Sequence, residues 1–266
     1  MSATYAACLL LLAVAVASCG GRGKAVRVAG FEVDSVVIDT VVALGTTADA
    51  PKCELSLHLH YLKDKNAREI NKELLRDGIY VADYLLLQEA NLNVPALVDS
   101  FASRYLSDYR QEYGALYRSD TGHAASYNCT YRVHSHFEDA GEGVINSIAD
   151  IYTYGGGAHG IRQTVVHNIR TKDACTIGLS DLFKPDSGDE LKALITEQLC
   201  KQFKAKDLAA LHEQGIFADG SVYASENFLL TKKAVTFIYC EDEIAPHDVG
   251  EIRVSLSRSD LKKLMQ

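Results

Sequence analysis

Hydrophobic and polar residues alternate along several segments of the chain, and this period of two predicts β-strands. The alternation is clearest over residues 53–62, where three leucines and a tyrosine share one face and two histidines share the other. Further strands are predicted at 31–44, at 128–137, at 144–154, at 163–169, as a pair within 227–239, and at 251–256.

A spacing of three to four residues between apolar side chains predicts helices elsewhere. The longest is expected at 94–117, with Asn93 as its N-cap and Pro95 in its first turn. Other helices are predicted at 66–87, at 189–203 and at 207–214, and a short one begins at Ser259. Because helices and strands are grouped rather than strictly alternating, the sequence predicts an α+β fold, with antiparallel sheets packed with helices in two small subdomains.

The N-terminal apolar run, residues 9–18, is shorter than the roughly 20 residues that a membrane-spanning helix needs. Such a run is typical of the hydrophobic core of a signal peptide, although no Lys or Arg precedes it here. Residues 16–19 (Val-Ala-Ser-Cys) resemble the lipobox of bacterial lipoproteins. The resemblance implies that the Cys19 thiol carries a diacylglycerol anchor. The alternative is a secretory peptide that releases the protein.

This organisation divides the chain into four segments. We expect a lipoprotein signal peptide at 1–18, a lipidated Cys19 with a flexible Gly-rich tether at 19–30, an N-terminal subdomain at 31–143 and a C-terminal one at 144–266. The body is then expected in the bacterial cell envelope outside the cytoplasm, attached to the outer membrane on its periplasmic face or at the cell surface.

Charge and cysteine content narrow the possible partners. The net charge of −8 argues against a nucleic acid, which needs a basic face on its protein partner. The body contains no CxxC motif, so the sequence predicts neither a zinc knuckle nor a redox motif, and no cofactor. The oligomeric state and the disulfide pairing stay open, with an odd number of thiols in the body: Cys53, Cys129, Cys175, Cys200 and Cys240.

The second half of the chain carries several recognisable motifs. They are an aromatic and glycine-rich segment at 152–159, Leu-Ser-Asp-Leu-Phe at 179–183, the strand pair at 227–239 and Glu-Ile-Ala-Pro at 243–246 before a closing strand. Together they resemble the RsiV-like extracytoplasmic domain family over residues 53–266, most specifically over 152–256. The sequence departs from the family at 240–242, where Cys-Glu-Asp replaces the more usual Asn-Pro-Tyr-like run.

Known members of that family include the lysozyme-sensing part of an anti-sigma factor and an accessory domain of a peptidoglycan deacetylase. The resemblance therefore implies an extracytoplasmic binding module for a lysozyme-like protein, for peptidoglycan or for another glycan. It does not imply catalysis by the domain itself. It implies neither sigma-factor control nor sugar deacetylation here. The alternative is a cell-wall-directed hydrolase or a deacetylase-associated protein.

Two polar segments form the candidate binding site. Glycine allows positive φ and a close approach of another backbone, so an aromatic-flanked glycine turn that ends in a histidine can form a binding rim. Acid and imidazole groups around Pro246 could serve acid–base chemistry in the hydrolase alternative, with His159 central. A tight turn whose polar side chains bond to the backbone is the favoured interpretation of both segments. The candidates are Tyr152, Tyr154, Gly155, Gly156, Gly157, His159, Glu243 and His247.

Two His-x-His pairs lie on the polar faces of two predicted strands, since a spacing of two puts both imidazoles on one side. If the strands were neighbours, four imidazoles could meet and hold Zn²⁺ or Cu²⁺. A solvated sheet face is the favoured interpretation. The residues are His58, His60, His134 and His136.

Overall fold

The computed structural model describes residues 26–76 and 93–266. The expected signal peptide, the lipidation site Cys19 and most of the tether lie outside the described residues, as does the part of the predicted helix 66–87 that follows Arg76. Among the described residues, none of the helices combines the length and the apolar character that crossing a membrane requires.

The described strands form a large and a small sheet. In spatial order, which is also chain order, the large sheet contains β1 (Arg27–Val28), β2 (Phe31–Ala43), β3 (Lys52–Leu62), β4 (Cys129–Gly141), β5 (Val144–Tyr154), β6 (Ile161–Arg170) and β7 (Cys175–Thr176). The small sheet has the order β10 (Ile252–Ser257), β9 (Ala234–Tyr239), β8 (Phe228–Leu230). These strands pair antiparallel except β3 and β4, which are parallel.

The parallel pair explains the position of the first helices, because parallel strands need a long crossover connection. This connection contains α1 (Arg68–Arg76) and α2 (Val94–Ser119). As predicted, Asn93 caps α2 by accepting a hydrogen bond from the Ala96 N–H at 3.1 Å. Both helices pack on one face of the sheet, which we call the inner face, and the strand leucines Leu55, Leu57 and Leu59 are buried there.

The second unit packs its own helices against the small sheet. These are α3 (Leu179–Leu182), α4 (Gly188–Phe203), α5 (Leu208–Glu213) and α6 (Arg258–Leu261). Leu199 of α4 and Phe237 of β9 are fully buried in this second core. The buried Tyr239 donates its hydroxyl to the Tyr223 carbonyl, so its polar end is satisfied.

The small sheet covers part of the outer face of the large sheet. Ile238 packs there on Ile148 and Val166. Beside them Asn168 Nδ2 donates to the Phe228 carbonyl at 2.7 Å, and the Leu230 N–H donates to Asn168 Oδ1 at 2.9 Å. We call the outer face around β5 and β6 beneath this sheet the covered half, and the outer face of β2 to β4 the open half.

The architecture confirms the α+β fold class, with one large antiparallel-rich sheet and one small sheet. Two local predictions differ from it. Residues 27 and 28, expected in the tether, form β1, because Ala29 and Gly30 turn the chain back with positive φ values of 48° and 87°. The large sheet also runs across the expected boundary at 143/144, since the turn Gly141–Gly143 joins β4 and β5 into one hairpin.

The five cysteines of the body are free thiols. Cys53 and Cys129 face each other in the register of β3 and β4. A hydrogen bond with Cys129, together with burial, raises the pKa of Cys53. The remaining three, Cys175, Cys200 and Cys240, lie in β7, in α4 and after β9.

Candidate functional site

Two rows of polar residues cross the outer face where the open half meets the covered half. The strand registers place Ser56, Arg132, Tyr152 and Arg162 side by side in the first row. They place His58, His134, Asp150 and Thr164 side by side in the second. The rows form because residues two apart on a strand share a face and each strand aligns with its neighbour without a register shift here.

These rows form the floor of a groove with a volume of about 520 Å³. Glu251, in the segment just before β10, belongs to its wall, so the groove lies at the junction of the two units. Thr164 donates its hydroxyl to Asp150 at 3.0 Å and accepts a hydrogen bond from Arg253 at 3.3 Å. The groove therefore offers both acidic acceptors and cationic donors.

Tyr152, one of the candidate residues, lies between two guanidinium groups. The Cζ atoms of Arg162 and Arg132 lie 5.0 and 5.7 Å from the centre of its ring, within the range of cation–π contacts. Arg132 also pairs with Glu54 at 3.0 Å. Lys52 and Arg132 lower the pKa of the Glu54 carboxyl. The ring holds two guanidinium groups side by side, and such planar donors can bind a carboxylate.

The two His-x-His pairs do lie on neighbouring strands, as the metal hypothesis requires. His58 is paired with His134 in the parallel register, and the ring centres of adjacent imidazoles lie 6.1 to 6.4 Å apart. We call these four side chains, two on β3 and two on β4, the histidine row: His58, His60, His134 and His136. Within the described part of the chain, their ligand atoms do not come together as a cluster within 4.8 Å.

Local hydrogen bonds involve several of these imidazoles. His58 Nε2 contacts the Asp39 carboxylate at 2.9 Å, and Ser56 donates its hydroxyl to the same carboxylate. The Ser56 hydrogen bond and His58 lower the pKa of Asp39. His60 Nδ1 hydrogen-bonds to the Ser135 carbonyl. Burial lowers the pKa of His60, and the neighbouring imidazoles add to this effect.

The glycine segment forms the β5–β6 loop at one end of the groove. Gly156 has φ +80°, and a Cβ on it would lie 2.1 Å from the Ser126 carbonyl oxygen. Gly155 and Gly157 have no such neighbour within 4 Å. Tyr154 donates its hydroxyl to the Gly157 carbonyl at 3.0 Å. The conformation of this loop therefore depends on Gly156 and on the Tyr154 hydrogen bond.

This loop places the His159 ring against the ring of His247, although the two residues are far apart in the sequence. Their rings stack with centres 3.7 Å apart. His247 Nδ1 lies 3.1 Å from Asp242 Oδ2. His159, Asp242 and His247 each offer one ligand atom, and these atoms all lie within 4.8 Å of one another.

Glu243 has a different environment from its neighbours. Its carboxylate accepts hydrogen bonds from the Tyr223 hydroxyl at 2.6 Å and from the Cys240 N–H at 2.7 Å. Burial and Glu243 raise the pKa of Tyr223. These two hydrogen bonds hold the turn 240–243 in place. Among the described contacts of Glu243, none is with His159.

Sequence reasoning missed Arg132, Arg162, Asp150 and Asp242. The first three have a signal in the sequence, since they occupy the same alternating face as the histidines and Tyr152. Asp242 contacts His247 five residues later, but nothing in the sequence indicates that the two residues meet His159 of a distant loop. A larger depression of about 650 Å³ lies near Lys63 and Asn93 and contains none of the candidate residues.

Comparison with known proteins finds a family match for part of the chain. Residues 180–259 match the family described as Protein of unknown function (DUF3298). The matched residues lie within the second unit. Among curated proteins, none matches the chain significantly.

Two solved structures share the fold. A member of the DUF3298 family from Bacteroides fragilis is 22% identical, with a TM-score of 0.79, and the match covers 89% of this chain and 94% of that one. A DUF3298 family protein from Pseudomonas aeruginosa is 15% identical with a TM-score of 0.58 and the same coverage. At these identities the likeness shows the fold alone.

Proposed function

We propose that this protein is a non-enzymatic binding module of the bacterial cell envelope, and that its groove binds a short glycan that carries a carboxylate, as peptidoglycan fragments do. The observation that carries the proposal is Tyr152 between Arg132 and Arg162 on the groove floor. The ring holds the two guanidinium groups in place, these groups supply charged donors for the carboxylate, and Asp150 supplies an acceptor for sugar hydroxyls.

The location rests on other features. The apolar run at 9–18 and its resemblance to a lipobox support a lipid anchor at Cys19, and the motifs at 152–159 and 243–246 support an RsiV-like extracytoplasmic role. Labelling of cells with a tagged fatty acid tests the anchor, because the label should disappear in Cys19→Ser. A chain that stays unlabelled in its native form would contradict it.

The hydrolase alternative is weaker because one of its three groups is engaged elsewhere. Glu243 binds Tyr223 and the backbone of its own turn, whereas His159 and His247 stack on each other. The sensing of a lysozyme-like protein, by contrast, needs a contact surface wider than this groove. A glycan therefore fits the groove better than either alternative.

Titration of the full-length chain in detergent micelles with soluble muropeptides tests the proposal by calorimetry. Tyr152→Ala should weaken binding about tenfold or more, as loss of a central aromatic anchor does. Tyr152→Phe keeps the ring and should retain most of the affinity. Tyr117→Ala, on the opposite side of the sheet, is the matched control and should bind like the native chain.

Three results would contradict the groove as the binding site. One is that muropeptides show no saturable binding, and another is that an uncharged chitin oligosaccharide binds as tightly as the muropeptides do. The third is binding of lysozyme with an affinity that Tyr152→Ala leaves unchanged. The last result would favour recognition of a protein on another surface. Arg162→Ala provides a further check, because it should reduce binding of the charged fragment more than binding of the uncharged sugar.

A further inference from the structure

The β5–β6 loop of the large sheet and the β9–β10 loop of the second unit meet at His159, Asp242 and His247. We propose that these three side chains form a binding site for a divalent transition-metal ion, with Zn²⁺ as the representative ion. The site does not depend on the groove or on the proposed glycan.

The ligand set and the spacing fit such an ion. Imidazole nitrogens and a carboxylate oxygen are ordinary zinc ligands, at about 2.0–2.2 Å from the metal. Two ligand atoms around a tetrahedral ion therefore lie about 3.4 Å apart. The observed separation between His247 Nδ1 and Asp242 Oδ2 is 3.1 Å, and one ligand atom from each of the three residues lies within 4.8 Å of the other two. The exposed His159 ring, which stacks on His247, has to turn for its nitrogen to point at the ion.

The neighbouring groups orient His247 for this role. Its Nδ1 faces Asp242, whereas its Nε2 faces the Glu241 carboxylate at 3.7 Å. Metal-binding histidines commonly direct their second nitrogen to a carboxylate, which fixes the ring and favours the tautomer that leaves the ligating nitrogen free. Glu241 also accepts a hydrogen bond from the Arg162 N–H at 2.6 Å, so it links the β9–β10 loop to the start of β6.

The backbone holds the ligands in place. Asp242 has φ +65°, a left-handed conformation, within the turn that Glu243 fixes through the Cys240 N–H. Non-glycine residues in this conformation need support from their surroundings and are enriched at functional sites. On the other side, the close contact of Gly156 with Ser126 supports the loop that ends at His159.

The histidine row on the open half is the natural internal comparison. Its imidazoles project side by side from adjacent strands, with ring centres at least 6.1 Å apart, and in the described residues they do not form a ligand cluster. Loop side chains can approach from different directions, whereas strand side chains on one face remain roughly parallel. The structure therefore favours the loop junction over the row as the metal site.

The test is calorimetric titration of Zn²⁺ into the full-length chain, purified without a polyhistidine tag. We expect saturable binding of one equivalent, lost in His159→Ala and in His247→Ala. His134→Ala, from the histidine row, is the matched control and should bind as the native chain does. Glu241→Gln should weaken the affinity about tenfold, as loss of a carboxylate that orients a ligand does.

Thermal unfolding provides a second measurement. Because the ligands come from both units and Zn²⁺ binds only the assembled site, Tm should rise with Zn²⁺ in the native chain and in His134→Ala, but not in His247→Ala. The proposal is overturned if Zn²⁺ does not bind saturably. It is equally overturned if His134→Ala loses the ion while His159→Ala and His247→Ala keep it.

Discussion

The two halves of the outer face of the large sheet follow the same alternation but carry different side chains. The open half presents polar and ionisable residues, and its Val37 remains 49% exposed. In the covered half, Ile148 and Val166 lie beneath Ile238, and Asn168 bonds to the backbone of β8. The alternation thus indicates which residues share a face of a strand. The kind of residue on the outer face indicates whether a second layer covers that face.

Both proposed sites lie where these halves meet. The groove begins where the small sheet stops covering the large one, at Asp150, Thr164 and Glu251. His159 and His247 meet beyond the end of β5 and the start of β6, where the β9–β10 loop of the second unit contacts the β5–β6 loop. The covered half therefore positions the second unit, and the open half keeps the groove accessible.

The largest expected difference between the halves is in their contribution to stability. Ile238→Ala removes a fully buried side chain of β9 that packs on the covered half, and it should lower the free energy of unfolding by about 2–5 kcal/mol. Val37→Ala, on the open half, should cost less than about 1 kcal/mol, the range of β-propensity alone. Denaturant unfolding of the full-length chain measures both. Equal losses would show that the small sheet does not seal this face.

An intermediate effect on stability is expected at the β5–β6 loop. Gly156→Ala introduces a Cβ against the Ser126 carbonyl at a positive φ and should destabilise the protein by about 1–3 kcal/mol. Gly157→Ala is the matched control, since its Cβ meets nothing within 4 Å and its φ is not positive. Thermal unfolding compares the two variants. If both behave alike, the close contact with Ser126 does not support the loop.

The smallest expected effect is a dependence of the free energy of unfolding on pH that comes from the open half. Burial and the imidazoles of His58, His134 and His136 lower the pKa of His60 in the folded protein. Below the ordinary histidine pKa of about 6.5 the unfolded chain takes up the proton first, so stability falls as pH decreases through that value towards the folded pKa. The folded protein is therefore free of this destabilisation by His60 only at pH values above this range.

His60→Asn should flatten this loss of stability, measured by denaturant unfolding at a series of pH values between about 7 and 5. Val37→Ala introduces no ionisable group and should keep the slope of the native chain. A slope unchanged in His60→Asn would contradict the assignment. The covered half, whose polar contacts at this face are asparagine amides, should not contribute to it.

Much of the secondary structure was predictable because it depends on local patterns. The period-two segments became β3 and β4, and the N-cap at Asn93 marked the start of α2. The covered half also has a local signal in the sequence: residues 145–149 of β5, which are buried on both faces, contain no charged side chain. A strand with few charges on either side indicates a layer on each face.

The sequence by itself determined which side chains share a face, because the pleat repeats every two residues, and hence it placed the histidines of β3 together and those of β4 together. Only the tertiary structure decided that β3 and β4 are parallel neighbours, since strand order depends on the packing of α1 and α2. It alone brought His159 to Asp242 and His247. That contact joins loops of two units, and no local pattern encodes the distance between residues so far apart along the chain.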